Sequence, residues 1–184
     1  MIYSKHDIHS IEITSSLLRQ GKILIFPTDT VYGFSGVVGK TDEKIRSIKG
    51  RDETKPFIQL ISKPSDVLKI SNDFIPESLL SKWPGALTII VNDKNNFGKT
   101  IAVRCPGDEW LRTVIENTES PIYSTSVNRS GKPVLLKIDE IISEFEREVD
   151  AIVEDGDSRS PIPSTIVKID GEKIIVVRKG AVEI

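Results

Sequence analysis

Short apolar runs rich in β-branched residues recur along the whole 184-residue chain, and they constrain the fold more than any other feature. Each run has strand length and is bounded by turn residues. Helical patterns separate several runs, which is typical of an α/β protein, but other runs adjoin directly. The sequence therefore predicts an α/β fold with an open, twisted, mixed β-sheet flanked by helices. The runs are 23–26, 57–61, 87–91, 101–103, 122–123, 151–153, 165–169 and 174–177.

Four segments between these runs have the periodicity of amphipathic helices. Thr41 and Asp108 have N-cap chemistry at the starts of the second and third segments, and Gly21 follows the first as a C-terminal signal. The residues predicted to face the core are Ile8, Ile11, Ser15 and Leu18, then Ile45 and Ile48, then Trp110, Leu111, Val114 and Ile115, then Ile138, Ile141, Ile142 and Phe145.

The composition argues against several classes of protein. The 25 Lys and Arg residues and 27 Asp and Glu residues give a net charge of −2, so no global basic field exists to hold a long nucleic acid. One cysteine, Cys105, and two histidines leave too few ligands for a disulfide framework or a zinc site. No apolar run reaches transmembrane length, and the N-terminus has no signal-peptide pattern. We expect one cytoplasmic domain, 1–184, without membrane association.

The stretch 121–133, PIYSTSVNRSGKP, concentrates polar side chains where an apolar run ends. Hydroxyls, an amide and a guanidinium follow three residues that have the character of a buried strand. Open α/β sheets bind ligands beyond the carboxyl ends of their strands, so a ligand cleft is expected there. Turn chemistry also explains Ser, Asn and Gly, so the stretch alone fits either a plain polar loop or a binding loop.

Other strand ends carry basic side chains and hydroxyls. Arg104 follows Val103, and strand alternation directs its side chain into an interior or a cleft on the opposite face. Lys49 lies at the end of a predicted helix, where the helix dipole is an equally good explanation for a cation. Arginine is the preferred bidentate partner of phosphate and carboxylate, so the set predicts a pocket for a polyanion. The set comprises Lys49, Arg51, Lys55, Arg104, Arg178, Thr28, Thr30, Ser124, Ser126, Ser164 and Asn128.

Seven segments then occur in a fixed order: FPTDTVYG (26–33), KGRDETKPF (49–57), WPGALTII (83–90), IAVRCP (101–106), STSVNRSGKP (124–133), PSTIV (163–167) and VRKG (177–180). Together they resemble the YrdC-domain family of threonylcarbamoyl-AMP synthases along nearly the whole chain. The family's lysine-x-arginine element corresponds to Lys49 and Arg51, and its serine-x-asparagine element to Ser126 and Asn128. Some relatives have a histidine where this chain has Leu60, which removes one expected threonine contact.

The resemblance implies a reaction. L-threonine, bicarbonate and ATP would yield threonylcarbamoyl-adenylate and pyrophosphate, so the protein would be a nucleotidyltransferase with ATP as a substrate. Mg²⁺ is expected on the triphosphate, where it keeps water and needs few protein ligands. The product would serve the threonylcarbamoyladenosine modification at position 37 of tRNA, and a separate transferase complex would complete that modification.

The resemblance also implies roles for individual residues. Lys49 and Arg51 would be catalytic, because their charges offset those of the phosphate oxygens. Some members have a second, C-terminal domain, but this chain ends at Ile184 soon after the last matching segment, so we expect the single-domain form. The residues implied for threonine are Thr30, Arg104, Ser124 and Ser164. Those implied for the nucleotide are Arg51, Lys55, Thr100, Ser126, Asn128, Val134 and Arg178.

Two other functions remain open on the sequence. YrdC-like domains resemble positively lined RNA-binding surfaces, so the same cations suit an RNA-binding module, although the net charge of −2 argues against strong binding. Weak tRNA binding is compatible with the synthase as well. A carbamoyl-adenylate domain of the hydrogenase-maturation type is the other alternative, although such domains usually belong to much longer chains.

Overall fold

The computed structural model describes residues 1–50, 56–158, 162–171 and 173–184. Within these residues, ten strands form one sheet in the order β1-β8-β2-β3-β7-β4-β6-β5-β9-β10. Parallel and antiparallel neighbours alternate irregularly, so the predicted mixed sheet is confirmed. The strands are β1 (Ile2–Ser4), β2 (Leu24–Phe26), β3 (Gly33–Val37), β4 (Ile58–Leu60), β5 (Leu87–Asn92), β6 (Thr100–Arg104), β7 (Ile122–Ser126), β8 (Ala151–Glu154), β9 (Thr165–Asp170) and β10 (Lys173–Arg178).

Two of these strands, β1 and β3, are not apparent from the sequence. Strand β3 is fully buried and pairs with β2 and β7, but two of its five residues are glycines, which have low strand propensity. The glycines permit close packing, because a Cβ atom on Gly33 would lie 2.8 Å from the Ser124 hydroxyl oxygen. A Cβ atom on Gly36 would lie 2.3 Å from the Thr41 hydroxyl oxygen. Tertiary packing therefore forms a strand that local pattern does not predict.

The predicted helices are present, with two corrections at their starts. Ile8 precedes the first helix and is 91% exposed, so it does not face the core. The Thr41 hydroxyl donates to the Val37 carbonyl at 3.0 Å and does not cap the second helix. Asp108 caps its helix as predicted, accepting from the Leu111 amide at 2.9 Å. The helices are α1 (Ser10–Arg19), α2 (Asp42–Lys49), α3 (Glu77–Leu80), α4 (Glu109–Thr118) and α5 (Ile138–Phe145), with a 3₁₀-helix at Pro64–Lys69.

Alternate residues of the strands show how the helices cover the sheet. Leu24 and Phe26 pack with α1 and α4, whereas Ile25 packs with α2 and α5 on the other face. In β6, Val103 packs against the 3₁₀-helix and α3, and Arg104 points the opposite way. Helices α1 and α4 cover only part of their face, and the uncovered part forms a cleft. None of the helices in the described ranges is long and apolar enough to cross a membrane.

Candidate functional site

A cleft of about 330 Å³ lies over the uncovered face of the sheet. Strand ends contribute polar residues to it, as the sequence predicts, and residues within two strands contribute as well. Arg104 and Ser126 are the last residues of β6 and β7, but Ile90 and Ala102 line the cleft from within their strands. The lining residues are Thr28, Thr30, Val31, Tyr32, Pro56, Phe57, Ile58, Ile90, Ala102, Arg104, Ser124, Thr125, Ser126, Val134, Pro163, Ser164, Ile166, Val177 and Arg178.

The cleft brings together most of the residues that sequence reasoning selected. An apolar floor, including Ile58, Ile90 and Ala102, lies between polar walls, which suits a ligand with both a flat apolar part and charged groups. Arg51 and Lys55 lie outside the described residues. The predicted site residues that line the cleft are Thr30, Arg104, Ser124, Ser126, Val134, Ser164 and Arg178.

The buried Arg104 side chain is held from three directions. Its Nε donates to the Gly85 carbonyl at 3.0 Å, its Nη1 donates to the Thr30 hydroxyl at 3.2 Å, and its Nη2 forms an ion pair with Asp29. A guanidinium has five N–H groups. Three of them have partners among the described residues, so two N–H groups remain for an anionic group such as a carboxylate.

Arg178 faces the same cleft with neutral partners. Its Nε and Nη2 donate to the Ser164 carbonyl at 3.0 and 2.8 Å, and Nη2 also donates to the Ser164 hydroxyl at 3.0 Å. That hydroxyl shares a hydrogen bond of 2.8 Å with Thr88. Burial, and then the neighbouring Arg104 guanidinium, lowers the pKa of Arg178. In the part of the chain that the structure describes, the Arg104 and Arg178 guanidiniums have a single carboxylate partner, Asp29, which favours an anionic ligand in the cleft.

Strand β7 extends further than the sequence indicates. The polar residues from Ser124 to Ser126 belong to the strand and pair with β3, so only the residues after Ser126 form a loop. The Ser124 hydroxyl has no hydrogen-bond partner among the described residues, and the residue lines the cleft. This hydroxyl is therefore available to a ligand.

The Asn128 side chain forms hydrogen bonds within its own loop and does not line the cleft. Its Oδ1 accepts from the Ser126 hydroxyl at 2.8 Å, and its Nδ2 donates to the Arg129 and Lys132 carbonyls at 2.9 and 2.7 Å. These bonds occupy the amide and hold Ser126 at the cleft. The nucleotide contact of Asn128 stays a prediction, and these bonds add a positioning role within the loop.

Lys49 is 2% exposed and does not line the cleft. Its ammonium donates to the Ser126 carbonyl, to the Asn128 carbonyl at 2.8 Å and to Asn128 Oδ1 at 3.1 Å. A buried ammonium requires such acceptors, because its desolvation is costly. Lys49 thus supports the 126–128 segment from beneath, and the helix dipole is not its main partner.

Two other predicted positions also lie away from the cleft lining. Thr100 begins β6 on the same face as Ala102, but it is exposed and pairs with Asn92 outside the lining. Leu60 is 1% exposed and belongs to the core between the sheet, α1 and α4. The position that holds histidine in some relatives therefore contributes packing in this chain.

Sequence reasoning assigned no role to two residues that the structure places beside the site. Asp29 was visible as a carboxylate at a strand exit, but its pairing with Arg104 joins segments that are distant in sequence. Thr88 is completely buried and bonds to Ser164. The sequence distinguishes Thr88 only as the single hydroxyl residue in the apolar run 87–91.

A larger cavity, of about 460 Å³, lies between the 3₁₀-helix and the end of α4. Four of its charged residues form two ion pairs, Lys63 with Glu116 and Lys69 with Asp66, and Glu119 also lines it. It contains none of the predicted site residues. Among the described residues, no group of three or more His, Cys, Asp or Glu side chains is arranged to hold a metal ion.

Cys105 is predicted to have a packing role. Its thiol is buried, lies 3.6 Å from the Ser62 carbonyl, and has a pKa raised by burial to about 11. A thiol with this pKa is not a nucleophile at neutral pH. Cys105→Ser should leave turnover within about twofold of wild type, because a substitution at a buried packing residue affects stability rather than the chemical step. Steady-state kinetics of the variant test this expectation, and iodoacetamide labelling of the native wild type tests whether the thiol is unreactive. Loss of activity in the variant would contradict the packing role.

Comparisons with known proteins agree on one family. The Sua5/YciO/YrdC family model, described as "Telomere recombination", matches residues 16–180. A Methanocaldococcus jannaschii relative, whose name gives threonylcarbamoyl-AMP synthase provisionally, is 32% identical over 95% of this chain and 87% of its own length. The Pyrococcus abyssi threonylcarbamoyl-AMP synthase is 30% identical over 92% of this chain, which spans only 54% of that protein.

Structural similarity leads to the same family. The crystal structure of Pyrococcus abyssi Sua5 complexed with L-threonine has a TM-score of 0.88 and 27% identity, covering 98% of this chain and 57% of that one. The chain thus spans about half the length of both Pyrococcus relatives. The family match, which covers most of the chain, and the shared fold together show that this protein belongs to the Sua5/YciO/YrdC family.

Proposed function

We propose that this chain is a threonylcarbamoyl-AMP synthase, which forms threonylcarbamoyl-AMP, pyrophosphate and water from L-threonine, bicarbonate and ATP. The observation that carries the proposal is the pair Arg104 and Arg178 in one cleft, with hydroxyls and an apolar floor between them. The names of the relatives support it, and so does the threonine bound to the Pyrococcus abyssi structure. The reaction places the protein among the nucleotidyltransferases.

Threonine would bind at the Arg104 side of the cleft. The two unused N–H groups of Arg104 suit the α-carboxylate, and the Ser124 hydroxyl is available to the amino acid. Thr30 can take part as well. Its hydroxyl donates to the Thr28 hydroxyl at 2.9 Å, because Thr28 donates its own hydrogen to the Val31 carbonyl, and it accepts from Arg104. One acceptor position of Thr30 is left for a ligand.

ATP would bind at the Arg178 side. Arg178 has no carboxylate partner among the described residues, so its charge is available to phosphate oxygens. Val134 and the apolar floor would contact the adenosine, and Ser126 would orient it. We assign Arg51, Lys55 and Thr100 to the phosphates or the nucleoside on the family resemblance alone. Mg²⁺ would arrive with ATP, held by phosphate oxygens and water, since the described residues offer no cluster of ligands for it.

The chemistry needs positioning and charge stabilisation. The threonine amine first takes up the bicarbonate carbon, and the resulting carbamate oxygen then attacks the α-phosphorus, which releases pyrophosphate. Fixed donors facing the developing charge are the main catalytic device for such a step. Carbamates hydrolyse readily, so a water-poor cleft also favours the product. The product would then pass to a separate transferase that acts on tRNA.

The test is pyrophosphate release measured with each of the twenty amino acids, with and without bicarbonate. We expect release only when threonine and bicarbonate are both present. Release that needs neither, or that occurs equally with every amino acid, would refute the proposal. Steeply salt-dependent RNA binding without any turnover would favour the RNA-binding module instead.

A further inference from the structure

The Asp29 carboxylate connects Arg104, which lines the cleft, to a loop outside the lining. It lies in the loop between β2 and β3, and its side chain is 19% exposed. One oxygen accepts from Arg104 Nη2, and the other accepts from the Gly107 amide at 2.8 Å. Asp29 therefore ties the loop between β2 and β3 to the loop that leads into α4.

The orientation of Arg104 depends on this carboxylate. Of the three groups that hold the guanidinium, the Gly85 carbonyl and the Thr30 hydroxyl are neutral, and Asp29 alone is charged. Charge-assisted hydrogen bonds are about twice as strong as neutral ones. Without Asp29, the two N–H groups that face a ligand would no longer be fixed relative to the floor of the cleft.

Asp29 also divides the cleft into two electrostatically different ends. The Arg104–Asp29 pair has no net charge, whereas Arg178 donates, as far as the described residues go, only to neutral oxygens of Ser164. A neutral pair attracts a singly charged carboxylate through hydrogen bonds but gives little advantage to a doubly charged phosphate. The uncompensated cation at the other end favours the more highly charged group.

We propose that Asp29 is a positioning and specificity-determining residue, which orients Arg104 for the α-carboxylate and disfavours phosphate at that end of the cleft. The inference rests on the proposed function, because it takes threonine and ATP as the two ligands. It concerns a residue that makes no contact with substrate itself and acts through Arg104.

The test compares Asp29→Asn with Asp150→Asn. Asp150 is a matched control, because it too pairs with a cationic side chain, Lys22, at 3.2 Å and accepts a backbone N–H, from Ile23, at 2.9 Å. Neither of these partners lines the cleft, whereas the cationic partner of Asp29, Arg104, does. For Asp29→Asn we expect the KM for threonine to rise about tenfold, equivalent to one lost charge-assisted bond, with the KM for ATP within about twofold. Inorganic phosphate should inhibit competitively against threonine at a concentration at least about threefold lower than for wild type.

A purely structural role would not make phosphate bind better, so the phosphate readout separates the two explanations. Asp29→Glu keeps the charge and should retain wild-type phosphate inhibition. This second variant keeps the proposal testable if Asp29→Asn folds poorly. The inference is overturned if wild type is active but Asp29→Asn matches Asp150→Asn in its threonine KM, or if Asp29→Glu gains phosphate inhibition. Failure of the proposed function would instead appear as a wild-type protein that never requires threonine.

Discussion

Replacing Arg104 with alanine is expected to lower the kcat/KM of adenylate formation by about 10²-fold or more, the usual effect of removing one charge-stabilising donor. The substitution would remove the proposed contact of Arg104 with the threonine carboxylate, and it leaves Asp29 without its cationic partner. The threonine KM should carry most of the loss. Pyrophosphate release at varied threonine and ATP concentrations measures kcat and the KM for each substrate.

Arg19→Ala is the control for this change. Arg19 lies at the end of α1, away from the cleft lining, where its side chain donates to the Asn117 carbonyl. Its removal should leave kcat/KM within about twofold, as for most surface substitutions. Near-wild-type turnover of Arg104→Ala would refute the assignment of this side of the cleft to threonine.

Replacing Lys49 with methionine is expected to lower both stability and activity. Methionine fills a similar volume but leaves the Ser126 and Asn128 carbonyls without their ammonium donor. Buried acceptors that lose a charged donor cost about 2–3 kcal/mol in the free energy of unfolding. Activity should fall as well, because the 126–128 segment carries Ser126 at the cleft. Urea denaturation and steady-state kinetics of the same preparation measure the two effects.

Lys44→Met provides the matched control on α2, because Lys44 is exposed on the same helix. It should change the free energy of unfolding by less than about 0.5 kcal/mol. If Lys49→Met lost activity with unaltered stability, Lys49 would act directly on the reacting groups and the positioning role would be wrong.

The sequence predicts most of the sheet because buried strands need apolar, β-branched runs. The strands it misses are explained by their context. Strand β3 contains Gly33 and Gly36, and its formation depends on the space left by Ser124 and Thr41 rather than on its own propensity. Strand β1 has only three residues and gains its stability from pairing with β8. Long-range pairing of this kind leaves no local pattern.

The site shows the same division between local and long-range information. Strand alternation correctly directs Arg104 away from Val103, because that rule depends only on neighbouring residues. The burial of Lys49 under the 126–128 segment depends on a contact across 77 residues, and a cation at a helix end does not reveal it. The pairing of Asp29 with Arg104 spans 75 residues and is equally hidden.

The central claim is that the cleft joins threonine, bicarbonate and ATP in one adenylate. Its most direct test is mass spectrometry of the nucleotide product after incubation with ¹³C-bicarbonate, threonine and ATP. We predict threonylcarbamoyl-AMP that carries the heavy carbon, together with pyrophosphate in equal amount. An adenylate without the heavy carbon, or one formed only when carbamoyl phosphate is supplied, would contradict the account.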